Sequence, residues 1–186
     1  PKGFEQFHSG YGTRSAILIN KKISHFPVEQ FFTDKMTPVV INSPYGAILL
    51  VSLYCPHNDT PVPSELDNVW KNSKSSCKYL VLAADSNAHS ALVGYNYSDK
   101  RAQAWEEYII AEGLNVHNRL GISTFRNSRK QESTIDITLT YGVTDEQLVN
   151  WNVLEDYCSL SDHMAISFEL RLHCDAPPKK KLFNFQ

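Results

Sequence analysis

Runs of apolar and β-branched residues alternate along this chain with short polar stretches that contain Gly, Pro, Asn or Asp. Runs of this length with such boundaries are typical of β-strands. The segments predicted to be strands are 15–19, 38–41, 47–54, 79–84, 133–139 and 163–172. Two runs, 47–53 with the exception of Ser52 and 79–84, are apolar, which predicts strands buried on both faces. In the last strand apolar Ile166, Phe168 and Leu170 alternate with polar residues, so one face is expected to meet water.

Helical patterns are fewer. Residues 99–112 predict a helix because Ala102, Trp105 and Ile109 recur at helical spacing and Gly113 follows. A shorter helix is predicted over 144–150, with Thr144 as a candidate cap. Strands dominate and helices are interspersed, so the sequence predicts an α/β fold with sheets at its centre.

Composition indicates how many domains the chain forms and the compartment in which it is expected. The chain has 186 residues, of which 42% are hydrophobic and 11% aromatic, which is typical of one globular domain. It has no run near the roughly twenty apolar residues of a membrane helix and no leader-like start, so we expect a soluble, intracellular protein with no membrane partner. The net charge is -2, so attraction to nucleic acid would need local basic patches.

The four cysteines, Cys55, Cys77, Cys158 and Cys174, are widely spaced and form no Cys-x-x-Cys motif. Free thiols in a reducing compartment are the expectation. Residues 174–186 begin with two prolines and three lysines within eight positions, which predicts a linker toward a further domain. A nuclear-import patch is the alternative.

Polar residues at the ends of the predicted strands suggest a reaction site. Asp85 and Asn87 follow the run 79–84 and lie two positions apart, so their side chains share a face. Asp136 lies inside the strand 133–139, and Asp162 and His163 open the last strand. Acids, an amide and an imidazole are the groups that phosphodiester hydrolysis needs.

Hydrolysis of a phosphodiester requires an oriented water and neutralisation of the charge that grows on the phosphate. Asp85 is expected to orient and deprotonate the water, and Asn87 to donate its amide to the phosphate or the attacking oxygen. His163 could bond a non-bridging oxygen, with its tautomer fixed by Asp136. Tyr54, at the end of a buried strand, could donate its hydroxyl to the phosphate.

Each motif also has an ordinary structural reading. Asp-x-Asn often forms a turn, and Ser161-Asp-His163 could be a cap or turn. Asp136 could pair with an unrelated lysine, and Tyr54 could be the edge of the core. The order and spacing of the whole set favour a site.

Several motifs resemble, in order, those of the endonuclease/exonuclease/phosphatase superfamily. They are Tyr54-Cys-Pro56, Ala84-Asp-Ser-Asn-Ala-His89, Ser123-Thr-Phe125, Ser133-Thr-Ile-Asp-Ile-Thr-Leu139 and Ser161-Asp-His163. The stretch Asn87-Ala-His-Ser-Ala-Leu-Val-Gly94, followed by Lys100-Arg101, is most similar to the apurinic-like endonuclease domains of non-LTR retrotransposons.

The resemblance implies a four-layer α/β sandwich with two mixed central sheets, and nicking of DNA that depends on Mg²⁺, with Mn²⁺ as a substitute. The nick would leave a 3′-hydroxyl that primes reverse transcription by a C-terminal reverse transcriptase, with the nucleus as the expected location. The residues that match the family's catalytic positions are Tyr54, Asp85, Asn87, Asp136 and His163, with Asp162 as the metal ligand.

One departure concerns the metal. The family begins with a strand bearing Asn and a second strand ending in Gln-Glu, whose Glu is the main metal ligand. Glu5 lies in Pro1-Lys-Gly-Phe-Glu-Gln-Phe7, which has no such form. We therefore expect residues 1–173 to be a domain of this type without its first strands, and 174–186 to be the linker.

A polar and basic loop, 124–130, suits contact with DNA. The candidate DNA-binding residues are Asn58, Thr124, Arg126 and Arg129, and Lys100, Arg101 and Lys130 could extend a basic rim. Solvated surface is the alternative for each.

Four functions compete at this point: a retrotransposon-type endonuclease, an abasic-site repair or phosphoinositide-acting relative, an inactive domain that binds nucleic acid or protein, and a decayed element.

Overall fold

The computed structural model describes residues 2–154 and 161–172. The helices are α1 (Ser64–Ser73) and α2 (Lys100–Glu112). The strands are β1 (Phe4–Phe7), β2 (Ile17–Asn20), β3 (His25–Pro27), β4 (Met36–Ser43), β5 (Gly46–Tyr54), β6 (Cys77–Asp85), β7 (Asn115–Val116), β8 (Phe125–Arg126), β9 (Glu132–Ser133), β10 (Asp136–Tyr141), β11 (Leu148–Leu154) and β12 (Ala165–Leu170).

A mixed six-stranded sheet in the order β3-β4-β5-β6-β10-β7 forms the centre. β5 and β6 pair in parallel and are connected through α1, whereas the other neighbours are antiparallel. The two long apolar runs of the sequence are therefore the two middle strands. The predicted α/β fold is confirmed, whereas the four-layer arrangement stays a prediction.

Both helices cover one face of this sheet. Trp70 of α1 and Trp105 of α2 are buried there against alternate residues of the middle strands, such as Leu49 and Leu82. α2 begins at its cap Asp99, whose side chain accepts the Ala102 N–H, and ends at Gly113 with φ +64°. The predicted helix over 99–112 is thus confirmed.

The other face of the sheet carries two separate strand pairs. β1–β2 packs through Ile17 and Ile19 on Val39, and β11–β12 packs through Trp151 and Val153 on alternate residues of β5 and β6. As expected, the apolar residues of β12 face inward and its polar residues outward.

A cleft of about 470 Å³ opens on this face. Its floor includes Ser52 and Ala83, and Arg14, Ile166 and Phe168 contribute to its walls. Ala83 is exposed although it lies in the middle of a central strand. The middle of the sheet is therefore open to solvent between the strand pairs.

Two sequence predictions of local structure were wrong. Residues 148–154 form a strand and not a helix, because Leu148, Trp151 and Val153 are buried against the sheet and the backbone pairs with β12. Only the turn before it is helical in character, with Gln147 N–H donating to the Thr144 carbonyl. The predicted strand 133–139 is split into β9 and β10, because the intervening Thr134 N–H donates to the Tyr95 hydroxyl.

The predictions about the cysteines and the linker concern segments that lie partly outside the described residues. Cys55 and Cys77 are buried free thiols, whereas Cys158, Cys174 and the predicted linker 174–186 lie outside the described residues. In the described part of the chain, neither helix has the length and apolar character needed to cross a membrane.

Candidate active site

Three candidate residues lie in one row across the sheet. Tyr54 at the end of β5 is in register with Asp85 at the end of β6, and Asp85 is in register with Asp136 at the start of β10. Their side chains share the cleft face because each is an even number of positions from a residue on that face. All three line the cleft.

His163 reaches this row from the segment before β12. A β-bridge pairs His163 with Phe125, and the Met164 N–H donates to the Thr124 carbonyl, so the backbone of the segment is fixed. The ring packs edge-on against Phe125 with centroids 5.0 Å apart.

The imidazole of His163 lies between two carboxylates. Its Nδ1 is 2.9 and 3.0 Å from the two carboxylate oxygens of Asp136. Its Nε2 is 3.7 Å from Oδ2 of Asp85. The structure therefore has the Asp136–His163 hydrogen bond that the sequence predicts, and it leaves Nε2 directed toward the second acid.

The electrostatics of this cluster favour a bound cation. Burial, with the nearby charge of Asp136, raises the pKa of Asp85 to about 6. The hydrogen bond to Asp136 raises the pKa of His163, although burial opposes it. Ligand atoms of Asp85, Asp136 and His163 all lie within 4.8 Å of one another, which is compact enough to hold a metal ion. Acids with shifted pKa values in a cleft are typical of functional sites.

Asn87 positions Asp85. Its backbone has φ +47°, and both its N–H (3.2 Å) and its Nδ2 (3.0 Å) donate to Oδ1 of Asp85. Nδ2 also donates to the Cys55 carbonyl at 3.1 Å. The amide nitrogen is thus engaged by the protein, so donation to a phosphate would require one of these bonds to exchange.

Arg101 is buried and does not belong to a basic rim, contrary to the expectation from its charge. Its guanidinium donates to the carbonyls of Cys55, His57 and Asp59 after β5 and to that of Ser86 after β6. One side chain therefore connects the two loops that follow Tyr54 and Asp85.

The Asn-Ala-His stretch has a structural use. The His89 backbone N–H and Nδ1 each lie 3.1 Å from Oδ2 of Asp99, the residue that caps α2. Burial raises the pKa of Asp99, but hydrogen bonds from Ala102 and His89 lower it overall. This contact attaches the loop after β6 to the start of the helix.

Thr124 and Asp162 are each held by a backbone hydrogen bond beside the cluster. Thr124 is fully buried and its hydroxyl accepts the Asp136 N–H at 3.1 Å, so its position argues against direct contact with DNA. The side chain of Asp162 is outside the cluster around His163, and its carbonyl accepts the Arg126 N–H. Burial and backbone pairing of this kind cannot be read from residue types alone.

The remaining DNA-binding candidates lie on the surface. Asn58 is exposed beside a second pocket of about 810 Å³, which shares Tyr54 with the cleft. Arg126 is paired with Glu132 at 2.7 Å, whereas Arg129 is exposed.

Sequence reasoning missed Arg14. It lies before β2, lines the cleft, and donates from a terminal nitrogen to the Tyr54 hydroxyl at 3.2 Å. The only signal in the sequence was a basic residue at the start of a predicted strand, and this carries no information about a partner forty residues away.

Comparison with known proteins identifies the family. A sequence model of endonuclease-reverse transcriptase proteins matches residues 48–167, well over half of the chain, and spans the row from Tyr54 to His163. This chain belongs to the endonuclease-reverse transcriptase family. None of the curated proteins matches it significantly.

Solved structures similar to this family member are nucleases and phosphatases. The endonuclease domain of TRAS1, a telomere-specific non-LTR retrotransposon, has a TM-score of 0.77 and 25% identity, over 92% of this chain and 82% of that chain. An AP endonuclease from Archaeoglobus fulgidus has a TM-score of 0.62 and 14% identity, over 91% and 80%. A mannosyl-6-phosphatase from Bacteroides thetaiotaomicron has a TM-score of 0.62 and 15% identity, over 92% and 78%.

Membership of the endonuclease-reverse transcriptase family gives the cluster a chemical context. Family members cleave phosphate esters, and the acids and imidazole of this chain lie in an open cleft that a phosphate ester can enter. By family, the chain is a phosphodiester hydrolase.

Proposed function

We propose that this protein is a magnesium-dependent DNA endonuclease that nicks target DNA. The observation that carries the proposal is the compact cluster of Asp85, Asp136 and His163 in a chain of the endonuclease-reverse transcriptase family. The site is open enough for a polymer, because the cleft is open along the sheet and Tyr54 lines both the cleft and the second pocket.

In this proposal the water oxygen attacks phosphorus, its proton passes to Asp85, the bond from phosphorus to the 3′ oxygen breaks, and that oxygen takes a proton from solvent to become the 3′-hydroxyl. A pKa of about 6 leaves Asp85 mostly ionised at neutral pH yet basic enough to accept that proton. Asn87 holds the carboxylate in place through Oδ1. Protonated His163, stabilised by Asp136, and the hydroxyl of Tyr54 donate hydrogen bonds to the phosphate oxygens.

A divalent metal fits this donor set because carboxylate oxygens of Asp85 and Asp136 and a ring nitrogen of His163, all partly buried, lie within 4.8 Å of one another. We propose Mg²⁺, with Mn²⁺ as a substitute, since these hard cations prefer oxygen ligands. Asp136 would hold the ion and exposed Asp162 would bind its water shell, which leaves Asp85 free to accept the proton of the attacking water. When bound, the ion neutralises charge that develops on the phosphate.

The biological role belongs to the same proposal. A nick that leaves a 3′-hydroxyl would prime a reverse transcriptase in the same polypeptide, and both would act on DNA in the nucleus. The family description and the similarity to the TRAS1 domain support this role.

Nicking of supercoiled plasmid in Mg²⁺ tests the activity. The wild type should convert the plasmid to the relaxed form, and Asp85→Asn and His163→Ala should lose at least about 100-fold in rate. Asp67→Asn is a control, because Asp67 lies on α1 and, within the described part of the chain, pairs with Lys71. Extension of the nick by a DNA polymerase without prior end repair would demonstrate the 3′-hydroxyl. Absence of nicking, or wild-type rates in Asp85→Asn, would contradict the proposal.

A further inference from the structure

The cleft contains acids and few cations. Asp85 and Asp136 contribute carboxylates, and among the described residues that line the cleft Arg14 is the only Arg or Lys. A phosphodiester would bring another negative charge into this site. Its binding therefore requires positive charge from the protein as well as from any metal.

The guanidinium of Arg14 is available for this purpose. Its terminal nitrogen donates to the Tyr54 hydroxyl, and its carbon lies 5.4 Å from the centre of the Tyr54 ring. Within residues 2–154 and 161–172 it has no carboxylate partner, and the residue is exposed. Since a guanidinium has five N–H donors, several remain free to bind a ligand in the cleft.

The backbone holds this side chain at the cleft. The Arg14 N–H donates to the Asp34 carbonyl at 2.6 Å. The next residue, Ser15, is buried, and its hydroxyl donates to the Ser52 carbonyl at 2.9 Å, on the strand that ends in Tyr54. The loop before β2 is thus attached to β5 directly beside the site.

We infer that Arg14 is a further catalytic residue, which binds the non-bridging oxygens of the scissile phosphate across the cleft from Asp85 and Asp136. This inference rests on the proposed function. Planar guanidinium groups bind phosphate through two parallel hydrogen bonds, which an ammonium group cannot do. Because Arg14 donates to the phenol oxygen, the Tyr54 O–H is left to donate to the same phosphate.

Charge on these oxygens grows toward the transition state, so the loss of Arg14 should lower kcat more than it raises KM. In the plasmid assay Arg14→Ala should lose about 100-fold in kcat, the usual effect of removing one donor to developing negative charge. Arg14→Lys keeps the charge and should lose about 10-fold. Arg171→Ala is the matched control, because Arg171 is exposed and pairs with Glu169 away from the cleft. It should stay within about twofold of the wild type.

A structural role of Arg14, limited to packing on Tyr54, predicts another result. It would lower the thermal midpoint of Arg14→Ala without a selective loss of kcat, and Arg14→Lys would resemble the wild type in rate. Either a kcat within about threefold of the wild type in Arg14→Ala, or full activity of Arg14→Lys, would overturn the inference. If Arg14→Ala does not fold, as judged by circular dichroism, Arg14→Lys decides the question.

Binding of inorganic phosphate without metal separates this inference from the proposed function. Phosphate can be titrated while the ring proton signals of His163 are followed by NMR. Its affinity should fall about tenfold in Arg14→Ala and stay unchanged in Arg171→Ala. If the wild type fails to nick DNA but phosphate binding depends on Arg14, the assignment of Arg14 as a phosphate-binding residue stands, whereas its catalytic role fails together with the endonuclease proposal. If the wild type nicks DNA and Arg14→Ala changes neither kcat nor the affinity for phosphate, the endonuclease proposal stands and the inference about Arg14 fails.

Discussion

Replacing Asp85 by Asn should make the folded protein more stable at pH 8 while it removes activity. Burial raises the pKa of this carboxyl from 3.8 to about 6. A group whose pKa is raised on folding stabilises the fold fully below its unfolded pKa, and this stability is lost as the pH rises through its folded pKa. The charged form of Asp85 is therefore unfavourable in the metal-free protein above about pH 6.

The size of the effect follows from the shift. About two pKa units correspond to roughly 3 kcal/mol at pH 8, and the side chain is only 15% exposed, so solvent screening is limited. An Asn side chain is neutral at every pH, and its oxygen can still accept the two bonds from Asn87. The N–H groups of the new amide are imperfectly paired, which costs about 1 kcal/mol, so the free energy of unfolding rises by about 2 kcal/mol in total. For a chain of this size that gain raises Tm by roughly 4–8 °C.

The assay is thermal unfolding in EDTA at pH 8 and at pH 4.5, followed by circular dichroism. Asp85→Asn should melt above the wild type at pH 8. The difference should vanish at pH 4.5, because only about 1 kcal/mol of the ionisation penalty remains there and it offsets the cost of the new amide. Asp99→Asn is the chemical control: its pKa is lowered on folding, so the same substitution should lower Tm at pH 8. Equal destabilisation by Asp85→Asn at both pH values would refute the reasoning.

Three more predictions concern neighbouring residues. Asp136→Asn removes the negative charge of the group that, through its hydrogen bond, raises the pKa of His163, so NMR titration should show that pKa falling and the alkaline limb of the nicking profile should move to lower pH; an unmoved pKa would contradict the pairing. Arg101→Lys should lose roughly 1–3 kcal/mol in urea unfolding and lower kcat, since an ammonium cannot reach all four carbonyls, whereas exposed Lys100→Ala should change neither. Arg129→Ala should reduce the slope of log affinity for DNA against log salt concentration by about 0.9. Arg126→Ala should reduce it by less, because Glu132 already pairs with Arg126. If anisotropy titrations give both variants the slope of the wild type, neither residue contacts DNA.

The sequence predicted the parts of the fold that have long apolar runs. β5 and β6 contain long apolar runs and were recognised within one or two residues of their ends, and α2 has both a cap and a terminal glycine. α1 was missed, because a proline precedes it and no side chain caps its first turn. Strands of two or three residues, such as β7 and β8, are too short for any periodicity to indicate them.

The site residues also differ in how far the sequence could predict them. Asp85, Asp136 and His163 could be grouped because each stands at a strand end within a recognisable motif, and the structure brings them together. Arg101 was predicted to be exposed because it is charged, yet four backbone carbonyls compensate its burial. Arg14 could not be predicted, because its position beside Tyr54 depends on how the loop before β2 crosses the sheet.

Catalytic activity depends on the register in which the strands β5, β6 and β10 pair. Tyr54, Asp85 and Asp136 face each other only when β5, β6 and β10 pair as observed. A slip of one residue would send one of these side chains to the helix-covered side, although the sheet would keep most of its hydrogen bonds. Spectroscopy would scarcely distinguish such molecules from native ones, so turnover per mole of purified protein measures the fraction whose strands are correctly aligned.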